Sequence, residues 1–366
     1  MKVTLLITLV LQVILAMSIS CTPAEQAGET TEKPLSGLKI ICVWTVEAES
    51  QKEVENAVQQ AKDLGFNAVC WESKSEQNIP AACHEKGLKA FFLLCPLARR
   101  EGAQPQVLMP GEENLTGFDR ENILPGDFYQ YGGEPAQGNR EILDQNFTCP
   151  NDPSVVEYTL QRIAGARDAG YDGVIFDFVG YRNYHSCECA LCRAKLDKFS
   201  QEHPEMGEQE ARDTFYENVL VDLYDTLYVA AKKQAPEMIV GNHIHPVFLP
   251  NIFYGRRLKA DFCGITVAWF FQPHWPLEKV RRYTGKVVSG PYGYPGAEGM
   301  PMTGLYTDGG NARDRKSAGR LRAEFRILKQ AGASHLLMCE LGHILRDKET
   351  AEIVREELAG RQEGRL

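Results

Sequence analysis

Ala169-Gly-Tyr-Asp-Gly173-Val-Ile-Phe-Asp177 reads as a helix end, a glycine turn, a wholly apolar strand and an acid at the strand's exit. Gly at the end of a helical pattern supplies the left-handed residue that stops a helix. A strand apolar without alternation is buried on both faces, as in a parallel sheet. Leu64-Gly-Phe66 and Lys86-Gly-Leu88 repeat the same punctuation. Working outward, strands are expected at Leu38–Trp44, Phe66–Trp71, Leu88–Leu94, Tyr171–Phe178, Met238–His243, Phe262–Ala268, Lys286–Ser289 and Ser334–Glu340. Between them lie helical patterns at Gln51–Leu64, Ile79–Lys86, Ser154–Ala169, Gln209–Gln234, Pro276–Tyr283 and Arg313–Ala331, with Lys348–Ala359 closing the chain. Eight such units give an α/β fold, a (β/α)8 TIM barrel. A doubly wound open sheet is disfavoured because Trp44-Thr-Val-Glu47 follows the first strand instead of a Gly-rich phosphate turn.

Two loops stand out. Pro96 to Asp152 forms a long loop between the third strand and its helix, and the loop after the fourth strand holds Cys187-Glu-Cys189-Ala-Leu-Cys192. Loops of such length are usually functional, and in a barrel they cover the end where active sites are built. Three cysteines so close suit one tetrahedral zinc better than disulfides. Cys149, in the loop before the preceding helix, is the expected fourth ligand. Four thiolates close the coordination sphere, so the zinc is structural; disulfide pairing within the cluster is the alternative in an oxidising compartment.

Residues 1–20, with Lys2 ahead of an apolar run from Val3 to Met17, read as a signal peptide. Cys21 follows small residues as in a lipobox, with Ser18 where leucine is usual; lipidation there would anchor the chain to a bacterial membrane, periplasmic or outer face, and otherwise the protein is secreted. Residues 21–37 read as a tether, and 38–366 as the barrel. A net charge of −9 argues against nucleic acid as a partner. No motif for an organic cofactor is present.

Strand exits of a barrel share one mouth. They bring Trp44 and Glu47, Trp71 and Glu72, Asp177 with Tyr181 and Arg182, Asn242, His243 and His245, Trp269, Tyr292, and Glu340 with His343. Carboxylates among broad aromatic faces describe a carbohydrate site, since rings stack on sugars and paired acids cut glycosidic bonds. Asp177 is the expected principal carboxylate, with Glu340 or Glu72 as its partner and the other residues as substrate contacts. That reading requires Asp177 to be reachable from solvent at the rim. A metal-dependent hydrolase built on His243 and His245 is a further alternative, although barrels of the amidohydrolase type place His-x-His on the first strand.

The thiol loop, Cys187-Glu-Cys189-Ala-Leu-Cys192-Arg-Ala-Lys-Leu-Asp-Lys-Phe199 together with Cys149-Pro-Asn-Asp-Pro153, resembles the four-cysteine zinc loop of family 42 glycoside hydrolases, which are β-galactosidases. The resemblance implies a glycoside hydrolase-like barrel acting on oligo- or polysaccharide. It stops short of the catalytic acids. That family ends its fourth strand in Asn-Glu, whereas this chain has Asp177-Phe178, and its nucleophilic Glu has no counterpart in Val287-Val-Ser-Gly-Pro-Tyr292, Glu298 coming several residues late. The alternative is therefore a non-catalytic glycan-binding lipoprotein.

Overall fold

The computed structural model describes residues 39–45, 48–71, 78–112, 147–244, 248, 250–269, 274–305 and 315–359. The proposed signal peptide, Cys21 and the tether lie outside them, as do Glu47, Glu72, His245 and most of the long third loop.

Eight strands close into one parallel barrel in sequence order. They are β1 (Ile40–Thr45), β2 (Ala68–Trp71), β3 (Lys89–Leu94), β4 (Gly173–Phe176), β5 (Ile239–Ile244), β6 (Phe262–Thr266), β7 (Glu298–Gly304) and β8 (His335–Cys339). The covering helices are α1 (Gln51–Asp63), α2 (Ile79–Glu85), α3 (Ser154–Asp168), α4 (Ala190–Glu202), α5 (Glu208–Gln234), α6 (Leu277–Ser289), α7 (Ala318–Ala331), α8 (Leu341–Leu345) and α9 (Lys348–Ala359). A short 3-10 turn, Tyr254–Arg257, stands between β5 and β6.

Local chemistry sets the element ends. Ser50 caps α1 by accepting from Glu53 N, and Ser317 caps α7 by accepting from Arg320 N. Gly65, Gly87 and Gly170 take φ of +96°, +73° and +89° in the turns that enter β2, β3 and β4, where an L side chain would be strained. Inside the barrel Phe91 of β3 meets Phe262 of β6 at 6.0 Å, and Phe262 meets His335 of β8 at 5.8 Å. None of these strands is adjacent, so the rings fill the lumen. Gly241 leaves the room: a Cβ there would sit 2.2 Å from the Phe262 ring.

The seventh strand is corrected. Lys286–Ser289 is the last turn of α6, whose buried Val280, Tyr283, Thr284 and Val287 follow helical spacing. The strand itself is Glu298–Gly304, so Glu298 enters β7 and Tyr292 lies before it, at the entry end of the barrel and away from the mouth. Tyr292 Oη donates to Val287 O at 2.9 Å. This placement sets Tyr292 apart from the strand exits among which the sequence grouped it.

Candidate functional site

Asp177 follows β4, its N–H donating to Leu94 O at 2.9 Å, and the strand register sets Phe176 beside Asn242. The next residue along each strand therefore brings Asp177 against His243. Asp177 Oδ1 and His243 Nδ1 are 2.7 Å apart. A carboxylate facing Nδ1 holds that nitrogen protonated and fixes the ring's orientation. Trp44 of β1 meets the His243 ring edge-on at 6.2 Å from across the barrel. Asp177 Oδ2 is buried with no hydrogen-bond partner among the described residues. Beneath it lie the thiols of Cys42, Cys70 and Cys339; burial holds the Cys70 thiol well above its ordinary value, and Cys42 and the Asp177 charge add to this. Asp177 is only 1% exposed, which corrects the expectation of a carboxylate open to solvent at the rim.

Glu340, at the exit of β8, makes a second acid–histidine pair. Its Oε1 is 3.4 Å from His343 Nδ1, which also lies 3.2 Å from Leu305 O. A carbonyl only accepts, so Nδ1 carries the proton and ties α8 to the exit of β7. Both residues are buried.

The other expected contacts divide. Asn242 alternates with His243 along β5 and so occupies the helix-facing side of the strand; its carboxamide atoms are buried with no partner among the described residues. Trp71 is buried on the side opposite Cys70. Tyr181 is packed away from the mouth, its hydroxyl donating to Tyr216 O at 3.0 Å. Arg182 N donates to Gln106 Oε1 at 3.0 Å, joining the third and fourth loops. Trp269 is buried and stacks on Trp275, with centroids 6.2 Å apart and planes at 23°. Sequence reasoning missed Trp275, although its place two residues before α6 makes it a natural cover for the exit of β6. It also missed the fully buried pair Lys316 Nζ–Glu324 Oε2, at 2.8 Å, which anchors the start of α7.

Cys149, Cys187, Cys189 and Cys192 form a buried cluster whose sulfurs all lie within 4.8 Å of one another. Cys149 Sγ is 3.3 Å from Cys192 Sγ and 3.6 Å from Cys189 Sγ. Four ligands about 2.3 Å from one tetrahedral ion stand roughly 3.8 Å apart, so the set is of the right size for a metal. Backbone N–H groups of Val107, Asn151 and Cys192, with Asn151 Nδ2, point at the sulfurs from 3.3–3.5 Å. Such donors stabilise thiolates. Hydrogen bonding among the four pulls Cys189 down and pushes Cys149 up. The ten described cysteines are all free of disulfides. Around the cluster, Glu188 N donates to Val107 O at 2.8 Å, which fastens the third loop to the fourth, and Tyr216 Oη donates to Cys187 O at 2.9 Å, which ties the fourth loop to α5.

A closed (β/α)8 barrel with a buried four-cysteine cluster that could hold a metal ion is thus the class defined by fold and site. No protein-family model matches the chain, and no curated protein matches it. Among solved structures it is similar to the PgaB (BpsB) glycoside hydrolase domain from Bordetella bronchiseptica, at 12% identity and a TM-score of 0.54, covering 87% of this chain and 98% of that one. It is also similar to β-galactosidases from Rahnella sp. R3 and Bacillus circulans sp. alkalophilus, at 12% and 11% identity and TM-scores of 0.54. These cover 90% and 88% of this chain, which spans only 57% and 56% of theirs. The likeness to these structures is one of fold, the (β/α)8 barrel.

Proposed function

We propose that this chain is an exported, lipid-anchored glycoside hydrolase-like protein that acts on oligo- or polysaccharide at the strand-exit end of its barrel. Asp177 is the principal carboxylate, His243 orients it, Glu340 or Glu72 supplies the second acid, and Trp44 offers a ring to a sugar face. The four cysteines hold a structural zinc that keeps the adjoining loops in place and takes no part in the chemistry.

One observation carries this reading. Asp177 has one oxygen fixed by His243 while the other is buried with no hydrogen-bond partner among the described residues. Leaving a buried carboxylate oxygen unpaired costs about 1–3 kcal/mol or more, which a sugar hydroxyl donating to it would restore. The barrels of PgaB and the β-galactosidases agree with a carbohydrate role. With Asp177 only 1% exposed, the requirement that it be reachable from solvent is not met among the described residues; hydrolysis there needs the mouth to open to substrate, and the burial as it stands favours a second reading, a glycan-binding lipoprotein without turnover.

The test compares wild type with Asp177→Asn on a panel of oligo- and polysaccharides, reading product release and binding in parallel. Turnover lost with binding kept supports hydrolysis. Binding without turnover in either protein selects the second reading, and neither binding nor turnover in wild type refutes both.

A further inference from the structure

Asn151 follows Cys149 by two residues and touches both halves of the cysteine cluster. Its backbone N–H donates to Cys149 Sγ at 3.4 Å, and its Nδ2 donates to Cys192 Sγ at 3.3 Å. Lys195 Nζ, on α4, donates to Asn151 Oδ1 at 2.7 Å. An ammonium has donors only, so this contact settles the carboxamide's orientation: the oxygen turns to Lys195 and the N–H to the sulfur. Cys192 and Lys195 are three residues apart on α4 and so are neighbours on its surface. A relay thus runs from an exposed cation, through one amide, to a buried sulfur.

A divalent ion on four thiolates leaves a net negative charge in a buried site, and hydrogen bonds to the sulfurs carry part of it. The N–H groups of Val107, Asn151 and Cys192 are backbone donors that almost any residue would supply. The Asn151 carboxamide is different, because it depends on the side chain. Hydrogen bonds in series polarise one another, so Lys195 on the oxygen makes the amide N–H a stronger donor to Cys192. Arg212, also against this loop, is engaged by Glu188. The relay also joins Cys149, at the end of the third loop, to Cys192 on α4, which are the two segments an ion has to hold together.

We infer that Lys195 and Asn151 form a latch on the metal. Lys195 is a positioning residue that orients and polarises the Asn151 amide, and that amide sets how firmly Cys149 and Cys192 retain zinc. The inference rests on the zinc reading above and uses neither Asp177 nor His243.

The experiment follows transfer of zinc from the full chain to a chromogenic chelator, and reads the cobalt-substituted chain by its sulfur-to-cobalt absorption. Asn151→Leu is expected to release zinc about tenfold to a hundredfold faster than wild type, and Lys195→Met, at an exposed position, about tenfold faster. Both should shift the sulfur-to-cobalt band while circular dichroism stays unchanged. Because Lys195 acts through the amide, adding Lys195→Met to Asn151→Leu should change release no further. Lys195→Arg, which keeps a donor, should stay close to wild type, as should Lys198→Met, an exposed lysine one turn along α4. Wild-type release from Lys195→Met, or a double variant whose rate multiplies the two single effects, overturns the inference. Equally fast release from Lys198→Met also overturns it, by making surface charge the cause. A wild-type chain that takes up neither zinc nor cobalt sinks the zinc reading and the latch together, whereas zinc held alike by every variant sinks the latch alone.

Discussion

If the four cysteines hold the proposed zinc, removing it should loosen the barrel by an amount the chain itself sets. An ion held by Cys149 and Cys187 closes a loop of about 38 residues, and the chain-entropy relation for a cross-link of that length gives about 4 kcal/mol. In a domain of this size each kcal/mol moves the melting temperature by roughly 2 °C, so stripping the metal should lower it by roughly 8 °C. The Cys189–Cys192 step adds little, because that loop is already pinned by Cys192 N on Cys189 Sγ. The assay is calorimetry of the purified chain before and after a strong chelator, with metal content and free thiols counted on the same samples. One zinc per chain before treatment, none after, and a reversible fall on that scale are the expected results. Cys187→Ser should show the lower melting temperature without chelator. An unchanged melting temperature after complete stripping, or a disulfide found among these four cysteines in the native protein, would refute the reasoning.

Three further predictions concern the barrel. Gly241→Ala would push a methyl to 2.2 Å from the Phe262 ring and should cost about 1–3 kcal/mol, read by urea unfolding; adding Phe262→Leu should recover part of that loss, and simple additivity of the two costs would count against the packing argument. His335, close to Glu298 and Lys39, is lowered to about 4, chiefly by burial. Because the unfolded chain binds this proton first, about 3 kcal/mol of stability is fully present above pH 6.5 and lost as pH falls toward 4, and His335→Asn should flatten that limb of the stability profile. Lys316→Met strips Glu324 of one buried partner while Arg320 stays at 2.6 Å, so a loss toward the lower end of about 3–5 kcal/mol is expected, and an unchanged urea midpoint would contradict it.

The barrel was legible because its punctuation is local. Gly65, Gly87 and Gly170 mark the turns into three strands, and the runs between glycine and acid are apolar on both faces. The seventh unit failed for a physical reason. Val287-Val288 is a β-branched pair that passes for a strand, yet its burial belongs to the helical series starting at Val280. The true strand, Glu298-Gly-Met-Pro-Met-Thr-Gly304, holds two glycines and Pro301, residues that argue against a strand when only propensity is read. The short helix α4, inside the thiol loop, went unnoticed because only Cys192 among its residues is buried and its pattern has no apolar face.

The site was legible as a set of strand exits and illegible as a set of facing side chains. Alternation along β5 already separates Asn242 from His243, so grouping them at the mouth overlooked the period of two. The Asp177–His243 contact needed the register between β4 and β5, which no local signal encodes: sliding β5 by one residue would turn the imidazole outward and bring Asn242 in. The same register explains the burial of Asp177. An acid ending an apolar strand tends to turn toward water unless a neighbour supplies a donor, and His243 Nδ1 supplies one inside the lumen at 2.7 Å. His243→Ala should therefore do more than remove a contact. It would leave both Asp177 oxygens short of donors in an apolar cup, so the carboxylate should swing toward solvent or take up a proton, and binding measured with the neutral Asp177→Asn chain as reference tells these apart. If His243→Ala binds glycans like Asp177→Asn, the charge on Asp177 is what His243 maintains; if it binds like wild type, the imidazole is a packing element and the dyad has no role in recognition.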